Sequence, residues 1–132
     1  MLCMPLTLLA VALGGAAGTL LRLLADLAMP EQGLPWSTVA VNLIGSLVLG
    51  VLAGRAASDR VRWPAWLREG VQTGLLGGFT TYSALALWGA SAADAAPTLL
   101  SVLLVMGVAV AGVAVAYAGL SIGSRTATKG TR

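Results

Sequence analysis

Four long stretches of the chain contain no charged residue, and this distribution restricts the fold more than any other feature. Each stretch reaches the roughly 20 apolar residues that a helix needs to cross a bilayer. Of the 132 residues, 58% are hydrophobic and 10% are charged. A soluble helical bundle would need a polar stripe on each helix, which these stretches lack. The sequence therefore predicts an all-α membrane protein with four transmembrane helices in a single domain, residues 1–124, followed by a basic tail, residues 125–132. The four stretches are Met1–Leu21, Gln32–Gly54, Gly70–Ala93 and Ala95–Ser124.

The basic residues are divided unequally between the two sides that four spans define. Seven of the eight lysines and arginines fall in the second connection or in the C-terminal tail, and Arg22 alone lies in the first connection. Because basic residues favour the cytoplasmic side, we predict a multi-pass protein of the cell membrane with both termini in the cytoplasm. The seven lack the aromatic-interleaved clustering of a nucleic-acid surface, so no nucleic-acid partner is expected. They are Arg55, Arg60, Arg62, Arg68, Arg125, Lys129 and Arg132.

The third charge-free stretch contains an unusual polar segment. Residues 77–83 read Gly-Gly-Phe-Thr-Thr-Tyr-Ser, with paired glycines followed by hydroxyl-bearing residues. A loosened backbone inside a bilayer must find hydrogen-bond partners in protein or in a wet cavity, because lipid offers none. The segment therefore indicates an ion or solute site at the middle of the membrane.

Small residues also recur at the spacing that favours close helix packing. Three glycine pairs are four residues apart, which lets neighbouring backbones approach closely in a bilayer. Packing accounts for the first two pairs, whereas it leaves the hydroxyl groups after the third unexplained. The pairs are Gly14 with Gly18, Gly50 with Gly54, and Gly74 with Gly78.

Two isolated polar residues allow two interpretations each. Asn42 lies near the middle of the second stretch; its amide either joins helices, for about 0.6–2 kcal/mol, or lines a pore. Arg22 has Asp26 four residues further on, which is an ion-pair spacing on a helix. It is either half of an interfacial ion pair, the simpler interpretation, or a positive charge at the mouth of an anion pathway.

Together these segments resemble the CrcB/Fluc family of fluoride channels. The glycine-rich residues 14–18 precede Arg22, and residues 41–46 read Val-Asn-Leu-Ile-Gly-Ser, similar to the Val-Asn-x-x-Gly segment of the family. Residues 77–83 are very similar to the Gly-Gly-Phe-Thr-Thr-Phe-Ser block, the most specific signature of the family. The three segments occur in the family's order and cover the first three predicted spans.

The resemblance implies a fold and a function. Two subunits of four helices pack antiparallel, and the third helix of each is broken at its centre. A structural Na⁺ is held there by backbone carbonyls, which at the matching positions are those of Gly77 and Thr80. The implied function is a passive, fluoride-selective channel that exports fluoride from the cytoplasm and so lowers its toxicity.

The resemblance also implies a fluoride pathway past Asn42 and two aromatic positions of the third helix. These two positions hold Tyr82 and Leu85 here. Tyrosine keeps a ring edge with positive character and adds a hydroxyl, whereas leucine has no such edge. Thr81 and Ser83 are expected beside this pathway, and Arg22 is expected in its vestibule.

The fourth predicted helix and the charge bias suggest how subunits combine. Residues 102–115 contain only alanine, glycine, methionine and aliphatic side chains, whereas the family usually has asparagine, serine or threonine there. An antiparallel homodimer requires a chain that inserts both ways round, and the distribution of basic residues opposes this. We therefore expect one subunit of an antiparallel heterodimer with a related chain of opposite orientation, with a homodimer as the alternative.

The sequence also bears on three other functions. A small four-helix multidrug exporter needs a carboxylate buried in the membrane, and the five acidic residues all lie at span ends. A non-conducting partner subunit is compatible with Leu85 and with the apolar fourth helix. An enzyme is not expected, because the chain has no histidine, one cysteine and no buried acid to serve as a general acid or base. The acidic residues are Asp26, Glu31, Asp59, Glu69 and Asp94.

Overall fold

In the part of the chain that the computed structural model describes, three uninterrupted helices are long and apolar enough to cross a membrane. The structure describes residues 3–29, 35–57, 63–93 and 98–128, and helix is the main structure throughout them. Helix α1 spans Cys3–Ala28, α2 spans Trp36–Ala56 and α6 spans Thr98–Thr128. Their membrane-length apolar portions are Met4–Ala28, Trp36–Ala56 and Leu99–Arg125. The predicted all-helical membrane fold is thereby confirmed.

The third predicted span is a chain of shorter helical elements with an interruption near its middle. It begins after Pro64 with α3, Ala65–Glu69, continues as a π-helical segment, Gly70–Leu76, and ends its first half with α4, Gly77–Phe79. Thr80 is extended, with φ −81° and ψ 152°, and Thr81 is also outside any helix. Helix α5, Tyr82–Ala93, completes the span. We call Thr80 and Thr81 the helix break.

The helices extend further than the charge-free stretches do. Helix α1 continues past Arg22 and Asp26 to Ala28, and α6 continues through Arg125 to Thr128, so the basic tail begins as helix. Four of the basic residues used in the topology prediction and three acidic residues lie outside the described residues, and the orientation of the termini stays a prediction. These positions are Glu31, Asp59, Arg60, Arg62, Asp94, Lys129 and Arg132.

Helix α1 packs along the π-helical segment and α4 through backbone-to-backbone contact at glycines. A Cβ atom at Gly14 would overlap the carbonyl oxygen of Gly70, and one at Gly18 would overlap that of Leu75. From the other side, a Cβ atom at Gly74 would lie 2.6 Å from the carbonyl oxygen of Val11. The predicted role of these glycines in close packing is confirmed.

The second pair of long helices, α2 and α6, meets in the same way. A Cβ atom at Gly50 would overlap the carbonyl oxygen of Ala116, and one at Gly54 would overlap that of Leu120. Two glycines of α6 make the same kind of contact with α2, because a Cβ atom at Gly119 or at Gly123 would overlap a backbone carbonyl oxygen of α2. The first half of the broken helix packs against α1 and α2, and its second half, α5, packs against α6 and α2.

The outer surface of these helices is strongly apolar. Large side chains such as Leu8, Leu27, Val113 and Tyr117 are more than half exposed. The buried large hydrophobic residues among those described are few, namely Val41, Leu76 and Leu85. An apolar exterior around a small core is the arrangement expected when lipid or another subunit covers the surface.

Gly14 and Gly15 provide a matched test of the close packing, because the two neighbours differ in the space beside them. A Cβ atom at Gly15 would lie 3.9 Å from the carbonyl oxygen of Gly74, an ordinary van der Waals contact. We expect Gly14→Ala to force α1 away from the π-helical segment and to cost about 1–3 kcal/mol, whereas Gly15→Ala should have little effect. Thermal unfolding of both variants in detergent measures this, and equal midpoints would contradict the packing.

Candidate ion site at the helix break

At the helix break, two backbone N–H groups donate to side-chain oxygens instead of to carbonyls of the helix. In a continuous α-helix, the N–H of residue i donates to the carbonyl of residue i−4. Here the Thr81 N–H donates instead to Oδ1 of Asn42 at 2.9 Å, and the Ala84 N–H donates to Oγ1 of Thr81 at 3.2 Å. The two carbonyls that would have received these hydrogens, those of Gly77 and Thr80, are therefore released from the helix.

Asn42 holds the backbone of the break with three hydrogen bonds. Besides accepting from the Thr81 N–H, its Nδ2 donates to the carbonyl oxygen of Thr81 and to that of Thr38, both at 2.8 Å. An asparagine amide has two N–H donors, and both are used. The structure shows the first interpretation of Asn42, an amide that joins α2 to the broken helix, and the second, pore lining, stays a prediction. We call this set of bonds the Asn42 clamp.

The released carbonyls of Gly77 and Thr80 lie where a cation is favoured. Among the described residues, no backbone N–H group donates to either of them across the break. They stand at the carboxyl end of the helical residues 65–79, where the helix dipole is negative. Gly77 is exposed, and a Cβ atom there would have no other atom within 4 Å. Backbone oxygens at the ends of interrupted helices are suitable Na⁺ ligands.

A cavity of about 280 Å³ lies beside the break, between α2, α5 and α6. It brings together four of the residues predicted for the fluoride pathway: Asn42, Thr81, Tyr82 and Leu85. The α6 wall is entirely apolar and consists of Val108, Ala109, Gly112, Val113 and Ala116. Its composition agrees with the lack of hydroxyl groups noted in the sequence of this helix.

Tyr82 and Leu85 occupy different environments although both line this cavity. The Leu85 side chain is 3% exposed, whereas Tyr82 is 66% exposed. Tyr82 also lines a second cavity of about 340 Å³ between α5 and α6. That cavity contains Ser101, whose buried hydroxyl has no hydrogen-bond partner among the described residues. Tyr82 therefore lies between two cavities, and Leu85 forms part of the internal wall of one.

Two predicted site residues lie outside the cavity. Ser83 is exposed and shares a hydrogen bond with Oγ1 of Thr81, at 3.2 Å between the oxygens. Arg22 is half-buried on α1 and lines neither cavity beside Tyr82. The ion pair expected between Arg22 and Asp26 is not formed; the salt bridge found among the described residues joins the adjacent Arg68 and Glu69 at 3.1 Å.

Two residues of the second helix contribute to the site although sequence reasoning did not select them. A Cβ atom at Gly45 would overlap the Thr80 methyl group, so this glycine admits the extended residue of the break. Ser46 lines the cavity beside Asn42. For Ser46, a signal was available in the sequence: it lies four residues after Asn42 and therefore on the same helix face.

Comparison with known proteins identifies a family over most of the chain. Residues 9–120 match the family described as CrcB-like protein, Camphor Resistance (CrcB). A Novosphingobium aromaticivorans protein named fluoride-specific ion channel FluC is 42% identical over 117 residues, which cover 85% of this chain and 91% of that protein. A Cutibacterium acnes protein named fluoride-specific ion channel FluC 2 is 37% identical over 123 residues, which cover 91% of this chain and 99% of that protein.

Matches to Bordetella proteins are shorter. The Bordetella avium protein named fluoride-specific ion channel FluC is 46% identical over 79 residues, which cover 60% of this chain and 62% of that protein. The chain therefore spans somewhat less than two thirds of these relatives.

The Asn42 clamp can be tested by removing its amide. We expect Asn42→Ala to leave the Thr81 N–H and carbonyl without partners and to destabilise the protein by about 1–3 kcal/mol. Ser46→Ala is the matched control, since it removes a polar group one helical turn away that bonds to no described residue. Thermal unfolding gives the stability, and hydrogen exchange across residues 77–85 should accelerate in Asn42→Ala alone. Unchanged exchange there would contradict the clamp.

Proposed function

Because the chain belongs to the CrcB-like family, we propose that it is a subunit of a passive, fluoride-selective channel that lets fluoride leave the cytoplasm. The observation that carries this proposal is the cavity at the helix break, where four of the five residues predicted for the pathway lie together. The relatives named fluoride-specific ion channel support it, including two matched over more than nine tenths of their length. Export down the concentration gradient lowers the toxicity of fluoride to the cell.

The positions of the described acidic residues favour a channel over the alternative function, a small four-helix multidrug exporter. A proton-coupled exporter needs an ionisable carboxylate inside the membrane. Of the acidic residues that the structure describes, Asp26 is exposed near the end of α1 and Glu69 is half-buried near the start of the broken helix. Neither lines the cavity at the break. The family is one of ion channels, a non-enzymatic class, in agreement with the expectation that the chain is not an enzyme.

A structural Na⁺ at the break completes the proposal. The carbonyl oxygens of Gly77 and Thr80 would hold it, because they have lost their helical donors and form a hard, all-oxygen ligand set. When bound, the ion supplies positive charge that compensates the carbonyl dipoles at the end of residues 65–79. The Asn42 clamp keeps those carbonyls released by retaining the Thr81 N–H on Oδ1 of Asn42.

The two carbonyls of one chain do not complete a coordination shell, which is one reason to propose an antiparallel dimer. Gly77 is on an exposed face, so the same carbonyls of a second subunit could approach it. Seven of eight basic residues are on one predicted side, which favours a related partner of opposite orientation over a second copy of this chain. The apolar α6 wall and Leu85 favour a partner that supplies the better-lined pathway.

Fluoride efflux from liposomes tests the channel function directly. We expect liposomes that contain this chain with its oppositely oriented relative to release fluoride but not chloride, as followed with ion-selective electrodes. The chain alone should release fluoride much more slowly, because its charge bias opposes antiparallel insertion. Efflux of both anions at equal rates would contradict selectivity. Fluoride efflux that is equally fast without the relative would instead show a homodimer.

The sodium site has a separate test in ion replacement. We expect replacement of Na⁺ by N-methylglucamine to lower the thermal unfolding temperature of the purified dimer and to slow fluoride efflux, and readdition of Na⁺ should restore both. The physical reason is that the released carbonyls repel one another without a cation. The control is Asn42→Ala, which should respond less to Na⁺ because its carbonyls are no longer positioned. An unfolding temperature independent of Na⁺ would contradict the site.

A further inference from the structure

The cavity at the helix break has four polar side chains, and their hydrogen bonds determine which of them can bind an anion. An anion requires N–H or O–H donors. Both Nδ2 hydrogens of Asn42 are donated to backbone carbonyls. Oγ1 of Thr81 accepts from the Ala84 N–H and shares a hydrogen with Ser83. The donors of Asn42 are therefore used to maintain the break, and the Thr81 hydroxyl is engaged in the same local network.

The other two polar side chains, Ser46 and Tyr82, have hydroxyl groups that bond to no described residue. Tyr82 is largely exposed, whereas Ser46 is half-buried within the cavity wall. Ser46 follows Asn42 by one helical turn and so projects from the same face of α2. Its hydroxyl is the polar group that α2 presents to the cavity without an internal partner among the described residues.

The opposite wall leaves the Ser46 hydroxyl uncovered. A Cβ atom at Gly112 of α6 would lie 3.5 Å from Oγ of Ser46, so a larger side chain there would cover it. The remaining α6 residues of the cavity carry only alkyl groups. A small anion in this space would find hydroxyl donors on α2, at Ser46, and at the start of α5, at Tyr82, since α6 has none to offer.

We propose that Ser46 is a specificity-determining residue of this chain, whose hydroxyl donates a hydrogen bond to fluoride in the cavity at the break. This inference rests on the proposed fluoride function. It assigns to the second helix a polar group of the kind that the family usually has on the fourth and that the fourth helix of this chain lacks. Fluoride is small and strongly hydrated, so it enters an apolar-walled cavity only where protein donors replace the water it loses. Chloride, which is larger and less strongly hydrated, gains less from such a donor.

The first experiment compares Ser46→Ala with Ser91→Ala. The Ser91 hydroxyl bonds to the Trp88 carbonyl within its own helix, at 2.9 Å, and lines no cavity described above. Fluoride affinity is measured by ¹⁹F NMR titration of the purified protein with sodium fluoride, and efflux is measured in liposomes with the relative present. We expect Ser46→Ala to weaken fluoride binding and to slow fluoride efflux, each about tenfold, with Ser91→Ala unchanged.

A second pair of variants keeps the test independent of any folding defect. Ser46→Thr retains a hydroxyl at the same position and should retain binding. Combining Ser46→Ala with Gly112→Ser returns a hydroxyl from the opposite wall and should recover part of the lost affinity. Recovery supports the proposal, because a structural defect at position 46 would not be repaired by a serine on α6.

The outcomes separate this inference from the proposed function. Unchanged affinity and efflux in Ser46→Ala, with selective efflux in the wild type, would overturn the role of Ser46 and leave the channel function standing. Fluoride binding that depends on Ser46 without efflux would support the role in a non-conducting subunit. If the wild type shows neither binding nor efflux, the channel function fails, and the role of Ser46 fails with it.

Discussion

The hydrogen bonds between the Asn42 side chain and the Thr81 backbone are the interaction on which the rest of this site depends. A helix broken inside a bilayer exposes N–H and carbonyl groups that lipid cannot satisfy. One asparagine satisfies both groups of the same residue, at 2.9 and 2.8 Å, and its second N–H secures it to its own helix at Thr38. The break is thereby a stable feature of the fold, and the carbonyls of Gly77 and Thr80 stay released.

Close glycine packing fixes where this clamp can form. Because α1 touches the backbone of the π-helical segment and α2 touches that of α6, neither pair can slide without steric overlap. Gly45 then lets Thr80 approach α2 closely. The glycines position the helices, and the position of α2 determines that Asn42 reaches Thr81. Close glycine contacts and a single amide therefore position the helices and the break, whereas a soluble protein would use a large hydrophobic core.

Sequence reasoning predicted the helical membrane fold and the polar segment at residues 77–83, because hydropathy and glycine spacing are local signals. It left the role of Asn42 open, since an amide in a bilayer satisfies its donors in any way that the neighbouring helices allow. The interpretation of Arg22 and Asp26 as an ion pair was wrong, because i, i+4 spacing permits a surface pair without requiring one. Ser46 was missed because its importance depends on which neighbouring donors are already bonded, and a sequence does not show that.

The break separates its backbone groups by where their hydrogen bonds go. Asn42 and the Thr81 hydroxyl accept from the N–H groups of Thr81 and Ala84, whereas the carbonyls of Gly77 and Thr80 are left without their helical donors. Released carbonyl oxygens suit a cation. Both Nδ2 hydrogens of Asn42 are donated to backbone carbonyls, so the side-chain hydroxyls of the cavity wall that bond to no described residue are those of Ser46 on α2 and Tyr82 at the start of α5. The selectivity of the proposed fluoride pathway therefore depends on these hydroxyls more than on the Asn42 amide.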